Sequence, residues 1–191
     1  MQVATRTAPM TFSADMRLLA KGFFGLQFLV GYEWLMSGLS KALAGNFASG
    51  LAGTLADMTK DQTGWYKSFV DGLAIPNGTL FGYLVMAGEV SVGLVLIATA
   101  LAAIGAWTRL DLRLRTGLLG LVAGAALIGT FMSLNFHLAM GATAPWAISP
   151  DPNDQGVDLD SLMMIMQVVL ASASIGAIVW LRRAAGDVSQ S

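Results

Sequence analysis

The chain has 191 residues, 55% of them hydrophobic and only 12% charged, with a formal net charge of −1. An ordinary soluble domain carries about twice that charged share. Together with a mean hydropathy of +0.64, this points to a membrane protein and away from a nucleic-acid binder. The absence of cysteine excludes disulfides, thiol relays and thiolate metal sites, and the single histidine, His137, excludes a two-histidine haem within the chain.

The fold expected is all-α: one domain over 1–191, an integral membrane four-helix bundle with spans at about 17–40, 79–103, 116–140 and 159–181. A helix of about 20 apolar residues crosses a bilayer core of about 30 Å, and each of these segments is long enough. The first span runs from Arg17 to Ser40 and carries Glu33. Ala42-Leu43-Ala44 has the small-x-small form of a signal cleavage site. The apolar stretch before it, however, exceeds the usual length of about 7–15 residues and contains an acid, so it reads as a retained span. The first outer loop follows, from Lys41 to Gly78. Its Trp65, Tyr66, Phe69, Val70 and Leu73 recur at roughly helical spacing, which predicts an amphipathic segment at the outer interface. Pro76-Asn77-Gly78 turns the chain into the second span.

The second span holds Glu89 inside LVMAGEVSVGLVL, and Arg109, Arg113 and Arg115 follow it. The third contains LLGLVAGAALIG, which has no polar stripe of the kind a water-soluble helix needs. Gly117, Gly120 and Gly124 predict a close-packing seam on it. The third loop, GATAPWAISPDPNDQGVD, reads as irregular; Asp158 or Asp160 favours the start of the fourth helix through its dipole. That loop has no Lys or Arg but holds Asp151, Asp154 and Asp158, whereas Arg6, Arg17, Lys21, the inner link and Arg182-Arg183 are basic. The positive-inside bias therefore predicts a multi-pass plasma-membrane protein with both termini cytoplasmic.

Polar groups inside the spans are the functional candidates. At about 1.5 Å per residue, Glu33 lies about 10 Å below the outer end of its helix, Glu89 about 15 Å and Gln167 about 12 Å. Asn135 and His137 sit in the last turns of the third span, and Lys41 at the outer mouth. The inner half reads as mostly Gly, Ala, Val and Leu. By rotation, Gly82, Glu89 and Gly93 share one face of the second helix, and Glu33, Ser37 and Lys41 share one of the first. Thr130, Ser133 and His137 share a face that Asn135 does not. Each residue also has a structural reading: Glu89 as a protonated acid bonded to a neighbour, Glu33 paired with Lys41, His137, Trp65 and Tyr66 as interfacial residues, and Gln167 as a helix bridge.

Gly38-Leu39-Ser40-Lys41, GWYKSFVDGLAIP, GEVSVGLVL and Trp107-Thr108-Arg109, in that order, resemble the DoxX/DoxD family, nearest its DoxD branch, from about Arg17 to the fourth helix. The resemblance implies a four-helix membrane subunit that works with quinone. The DoxD branch oxidises thiosulfate to tetrathionate and passes the electrons to membrane quinone, usually with a second oxidoreductase subunit. The chemistry so implied would use Lys41, Trp65, Lys67 and His137 to hold the small sulfur anion. Glu89 and Glu33 would move protons as the catalytic pair. Gln167 or Asn135 would bond the quinone headgroup. Quinone is the expected electron acceptor; no metal or haem is expected in the chain. The alternative is a non-catalytic membrane anchor for a redox partner. A proton-coupled permease is disfavoured by the apolar inner half and by the lack of broken helices.

Overall fold

The computed structural model describes residues 14–141 and 158–189. Among these residues every regular element is a helix. They are α1 (Ala14–Ala44), α2 (Phe47–Thr59), α3 (Trp65–Phe69), α4 (Gly78–Ala106), α5 (Leu112–Ala139) and α6 (Leu159–Ser189). Three segments are long and apolar enough to cross a membrane: Gly78–Arg109, Leu112–Ala139 and Leu159–Gly186. Their outer faces suit lipid, since Leu84, Leu101, Leu127, Phe131 and Val169 are each more than half exposed. α1 is 31 residues long but is not among the three. Gln27, Glu33, Ser37 and Lys41 dilute its apolar face, and most of them turn out to face inward.

The long helices pack as neighbours in sequence allow. α1 lies antiparallel along α4, α5 along α6, and α4 also contacts α5. Glycines set the closeness of α1 and α4. A Cβ added at Gly93 would sit 2.5 Å from the Leu35 amide nitrogen, and one at Gly38 would sit 2.9 Å from that of Val90. Only bare backbone fits there. The face expected to hold Gly82, Glu89 and Gly93 is buried as a unit. Val30, Trp34, Leu96, Ala126, Leu170 and Ala171 then form a core shared by α1, α4, α5 and α6. The expected seam on α5 has no such partner: Cβ atoms at Gly117, Gly120 and Gly124 would meet nothing within 4 Å. These glycines face away from the other described helices, whereas Gly129, further along α5, is where that helix is closely approached.

The first loop is more ordered than its sequence suggests. α2 covers its first part and was not expected. Its Ala48 and Ala52 seat against Gly82 and Gly78 of α4, again at distances a side chain would forbid. The expected amphipathic segment is α3 followed by a π-helical turn, Val70–Ala74, closed by Ile75 N–H donating to the Val70 carbonyl at 2.9 Å. Tyr66, Val70 and Ala74 turn inward, and Trp65 and Leu73 outward. Gly45 and Gly64, at φ of 75° and 97°, make the breaks after α1 and before α3 that a side chain would strain. At the far end Asp111 caps α5, accepting from Leu114 N–H at 2.8 Å, and the Arg115 guanidinium lies over Trp107. Arg6, Asp151, Asp154 and nearly all of the loop expected to be irregular lie outside the described residues.

Candidate functional site

Lys41 and Glu89 organise the end of the molecule that carries α2 and α3. Gly38 lets α4 come close enough that its missing side chain faces Glu89 Cβ at 2.9 Å. The Lys41 side chain leans back along α1, as helical side chains do. Its ammonium donates to Glu89 Oε1 at 2.8 Å, Glu89 Oε2 at 2.9 Å and Ser37 Oγ at 2.6 Å. The two oxygens of the one carboxylate are too close together to take separate N–H groups squarely, so they share the donor side of the ammonium that faces α4. Phe47 and Phe136 place their rings 5.6 and 6.0 Å from the same nitrogen. The Glu89 side chain is only 1% exposed against 25% for Lys41. The sequence allowed Glu33 to pair with Lys41; the partner is Glu89. Glu33 lies about two turns further along α1, beyond the reach of the lysine, whereas Glu89 is brought across by the glycine contact.

This pair stands in the wall of a cavity of about 620 Å³ bounded by all six helices. Glu33, Ser37, Lys41 and Glu89 all line it, as their shared faces implied, and so does Asn135. Most of the remaining wall is apolar, with Leu51, Phe69, Phe81 and Met132 among its residues. Asp160 of α6 adds a third carboxylate to the lining. Asn135 donates to its own helix at the Phe131 carbonyl, 2.8 Å away, and its backbone carbonyl accepts the Tyr66 hydroxyl at 2.9 Å. That bond docks α3 onto α5. Burial raises the Tyr66 phenol above its ordinary pKa.

Other expected site residues fall elsewhere. Trp65 is 72% exposed, and Lys67 pairs with Asp71 one turn on; neither lines the cavity. His137 is buried on the side of α5 that meets α6, where its Nδ1 lies 3.0 Å from Ser161 Oγ. The Ser161 hydroxyl donates to Asp158 Oδ2 at 2.6 Å and its amide to Asp158 Oδ1 at 2.9 Å. Because the serine proton goes to the carboxylate, the histidine nitrogen is the donor. Serine and aspartate meet the same imidazole nitrogen, so this is a helix cap joined to α5, not a nucleophile with its base. Burial pushes the Asp158 carboxyl up, but the two Ser161 bonds and the nearby His137 outweigh that and hold it below the usual value. Asp158 thus does favour the start of α6, as expected.

Gln167 is fully buried but does not line the cavity. Its amide nitrogen donates to the Met163 carbonyl at 2.9 Å and lies 3.4 Å from Ser133 Oγ. The far half of the bundle is more polar than expected. Gln27 is fully buried there, donating to the Leu96 carbonyl and to Thr99 Oγ1, each at 2.8 Å, and Ser174 is fully buried on α6. Gln27 stands alone in an apolar run, the same signal that marks Glu89, and could have been found that way. Trp34 could not, because a tryptophan in a span reads as apolar until its N–H is traced. Among the described residues no three His, Asp or Glu side chains converge as a metal ion requires. No family model, curated protein or solved structure matches the chain.

Proposed function

We propose that the chain is the membrane subunit of a quinone-linked oxidoreductase. It would be a four-span bundle of the DoxX/DoxD kind in the plasma membrane, with both termini cytoplasmic and the cavity toward the outer face. The supporting observation is a largely apolar cavity of about 620 Å³ with a buried carboxylate and its ammonium partner in the wall. Sites for small cofactors have this make-up, apolar walls with a few placed polar groups. Quinone reduction takes up two electrons and two protons, and in this reading Glu89, held by Lys41, would exchange protons with a headgroup in the cavity.

The charge of the lining bears on the donor. Glu33, Glu89 and Asp160 share the lining with a single ammonium that is already paired with Glu89. A thiosulfate dianion would meet more negative than positive charge there; a neutral quinone would not. Our reading therefore puts the quinone in the cavity and the sulfur anion on a second subunit. Thiosulfate remains the donor proposed, because that is what the resemblance implies.

The test is to purify the chain alone and with any copurifying partner, extract bound quinone, and follow thiosulfate-dependent reduction of a soluble quinone. Quinone should survive detergent purification, and Glu89→Gln should abolish turnover by the complex. Absence of both quinone and activity in either preparation would remove the reading. A second reading, a non-catalytic anchor, draws on the outward-facing Trp65 and Leu73, an apolar face suited to a partner. It expects Trp65→Ser to break assembly and Glu89→Gln to leave activity intact.

A further inference from the structure

α4 and α5 each give one stripe of side chains to the cavity wall: Leu84, Val85 and Gly88 on α4, and Ile128, Phe131 and Met132 on α5. Spacings of three and four residues keep each set on one helix face. Leu84 is nevertheless 56% exposed, Ile128 54% and Phe131 66%. The same side chains line the cavity and meet the outside, so the wall there is one side chain thick. Both helices are long and apolar enough to cross a membrane. At about 1.5 Å per residue, these positions lie about 9–16 Å in from the helix ends, at the depth of hydrocarbon and not of water.

The two helices are held together unevenly. Over their far halves, Val92 and Leu96 of α4 share a buried core with Val122, Ala125 and Ala126 of α5. At Gly88 the closure is a single thioether: a Cβ added there would meet, among the described residues, only Met132 Sδ at 3.0 Å and Cε at 3.2 Å. Methionine is unbranched and flexible, so it yields at low cost. Glu89 follows Gly88 at almost the same depth and is turned about 100° further round the helix. A group that crosses Gly88 therefore arrives beside the Lys41–Glu89 pair. The side toward α2 is built differently. A second depression of about 350 Å³ is lined by Ser40, Asn46 and Gly50, and it shares Lys41, Phe47 and Thr54 with the cavity. Those shared residues partition the two spaces, and Lys41 is held there by the buried Glu89.

We propose that the seam between α4 and α5 at the cavity end is a lateral door to the bilayer, and that its ligand is an amphiphile with a compact head and a flexible hydrocarbon chain. The head passes over Gly88 to Glu89, and the chain stays along Leu84, Ile128 and Phe131. The inference rests on the reading that the cavity takes a quinone headgroup; it adds that this quinone carries a chain and is loaded from the lipid. Lipid tails are as apolar as the seam, so the chain gains little affinity by lying in it. The seam guides the ligand, and the polar groups around the head hold it. Narrowing the seam should therefore slow loading and leave the final occupancy unchanged.

The test uses the whole chain in lipid nanodiscs and a benzoquinone whose decyl chain ends in a photoactivated diazirine. Samples are irradiated at a series of times after mixing, with and without excess untagged decylbenzoquinone, and labelled residues are mapped by mass spectrometry. Label that the untagged quinone competes away should concentrate at Leu84, Ile128 and Phe131. Leu84→Trp narrows the seam from α4 and Phe131→Trp from α5. Each should slow the appearance of label by about tenfold, the effect of crowding a passage, with the final level unchanged. Thr54→Trp, on the partition toward the depression, should change neither rate nor level. Competed label confined to Ser40, Asn46 and α2 would overturn the door, and so would rates that neither seam variant lowers. Both results leave the quinone reading standing, because competed label still shows a bound headgroup. Label that the untagged quinone reduces nowhere would mean that the ligand only dissolves in the lipid, and would remove the quinone reading itself.

Discussion

Replacing Lys41 by methionine strands the Glu89 carboxylate. The two charges stand 2.8 Å apart, and the acid side chain is 1% exposed. At an effective dielectric near 20 their attraction is about 6 kcal/mol, set against the desolvation of both groups. Removing one member of such a pair leaves a buried charge uncompensated and costs about 3–5 kcal/mol. Glu89→Gln should cost about half as much, because the ammonium keeps Ser37 and is a quarter exposed. The double variant Lys41→Met/Glu89→Leu should come back to within about 1 kcal/mol of the parent, as apolar replacements of buried pairs do. Reversible unfolding in mixed micelles of rising sodium dodecyl sulfate content, followed by circular dichroism, measures all three. Equal single losses that simply add in the double variant would refute the reasoning, since they would mean that the two groups do not depend on each other.

Gly93→Val should separate α1 from α4, because the new Cβ would meet backbone at Leu35 that cannot yield; a loss of about 1–3 kcal/mol or more should appear as a lower unfolding midpoint. Gly124→Ala meets nothing within 4 Å and should leave that midpoint unchanged or raise it slightly. Tyr66→Phe removes the bond to the Asn135 carbonyl and should cost about 0.5–1.5 kcal/mol, with faster proteolysis between α2 and α3 as a second readout. Asp158 has its carboxyl pKa lowered in the folded chain. Its contribution is therefore fully present above the ordinary value of about 3.9 and is lost as pH falls through the lowered folded value. The effect should be small, since the carboxylate side chain is 47% exposed. An acid titration of thermal stability should show it in the parent and not in Asp158→Asn.

Much of this molecule was legible without coordinates. The long helices start and end within a few residues of their expected bounds, except that α6 runs on to Ser189, past its expected end at 181; runs of apolar residues leave the backbone no other way to satisfy its hydrogen bonds. Glu89 stood out because an acid in such a run is costly unless it is turned inward to a partner, and it is buried. The faces that hold Glu33, Ser37 and Lys41, or Gly82, Glu89 and Gly93, follow from rotation alone. α2 was missed because FASGLAGTLADMT carries small residues whose fit depends on the glycines of α4 opposite. The α5 glycine seam was over-read for the converse reason: close-packing residues say nothing about whether another helix is there.

The sequence by itself determined an all-helical, lipid-suited chain with isolated polar groups inside it, since composition and period fix the helices and their faces. Only the tertiary structure decided that Lys41 meets Glu89 and not Glu33, that His137 belongs to the α6 cap and not to the cavity, and that the Trp34 N–H and the Gln167 carbonyl oxygen converge over Gly129. Those pairings depend on how far one antiparallel helix is slid along another. That offset is set by backbone contacts at Gly38 and Gly93 and by the side chains seated on Gly129, each from a residue distant in the chain, and no local pattern records such a distance.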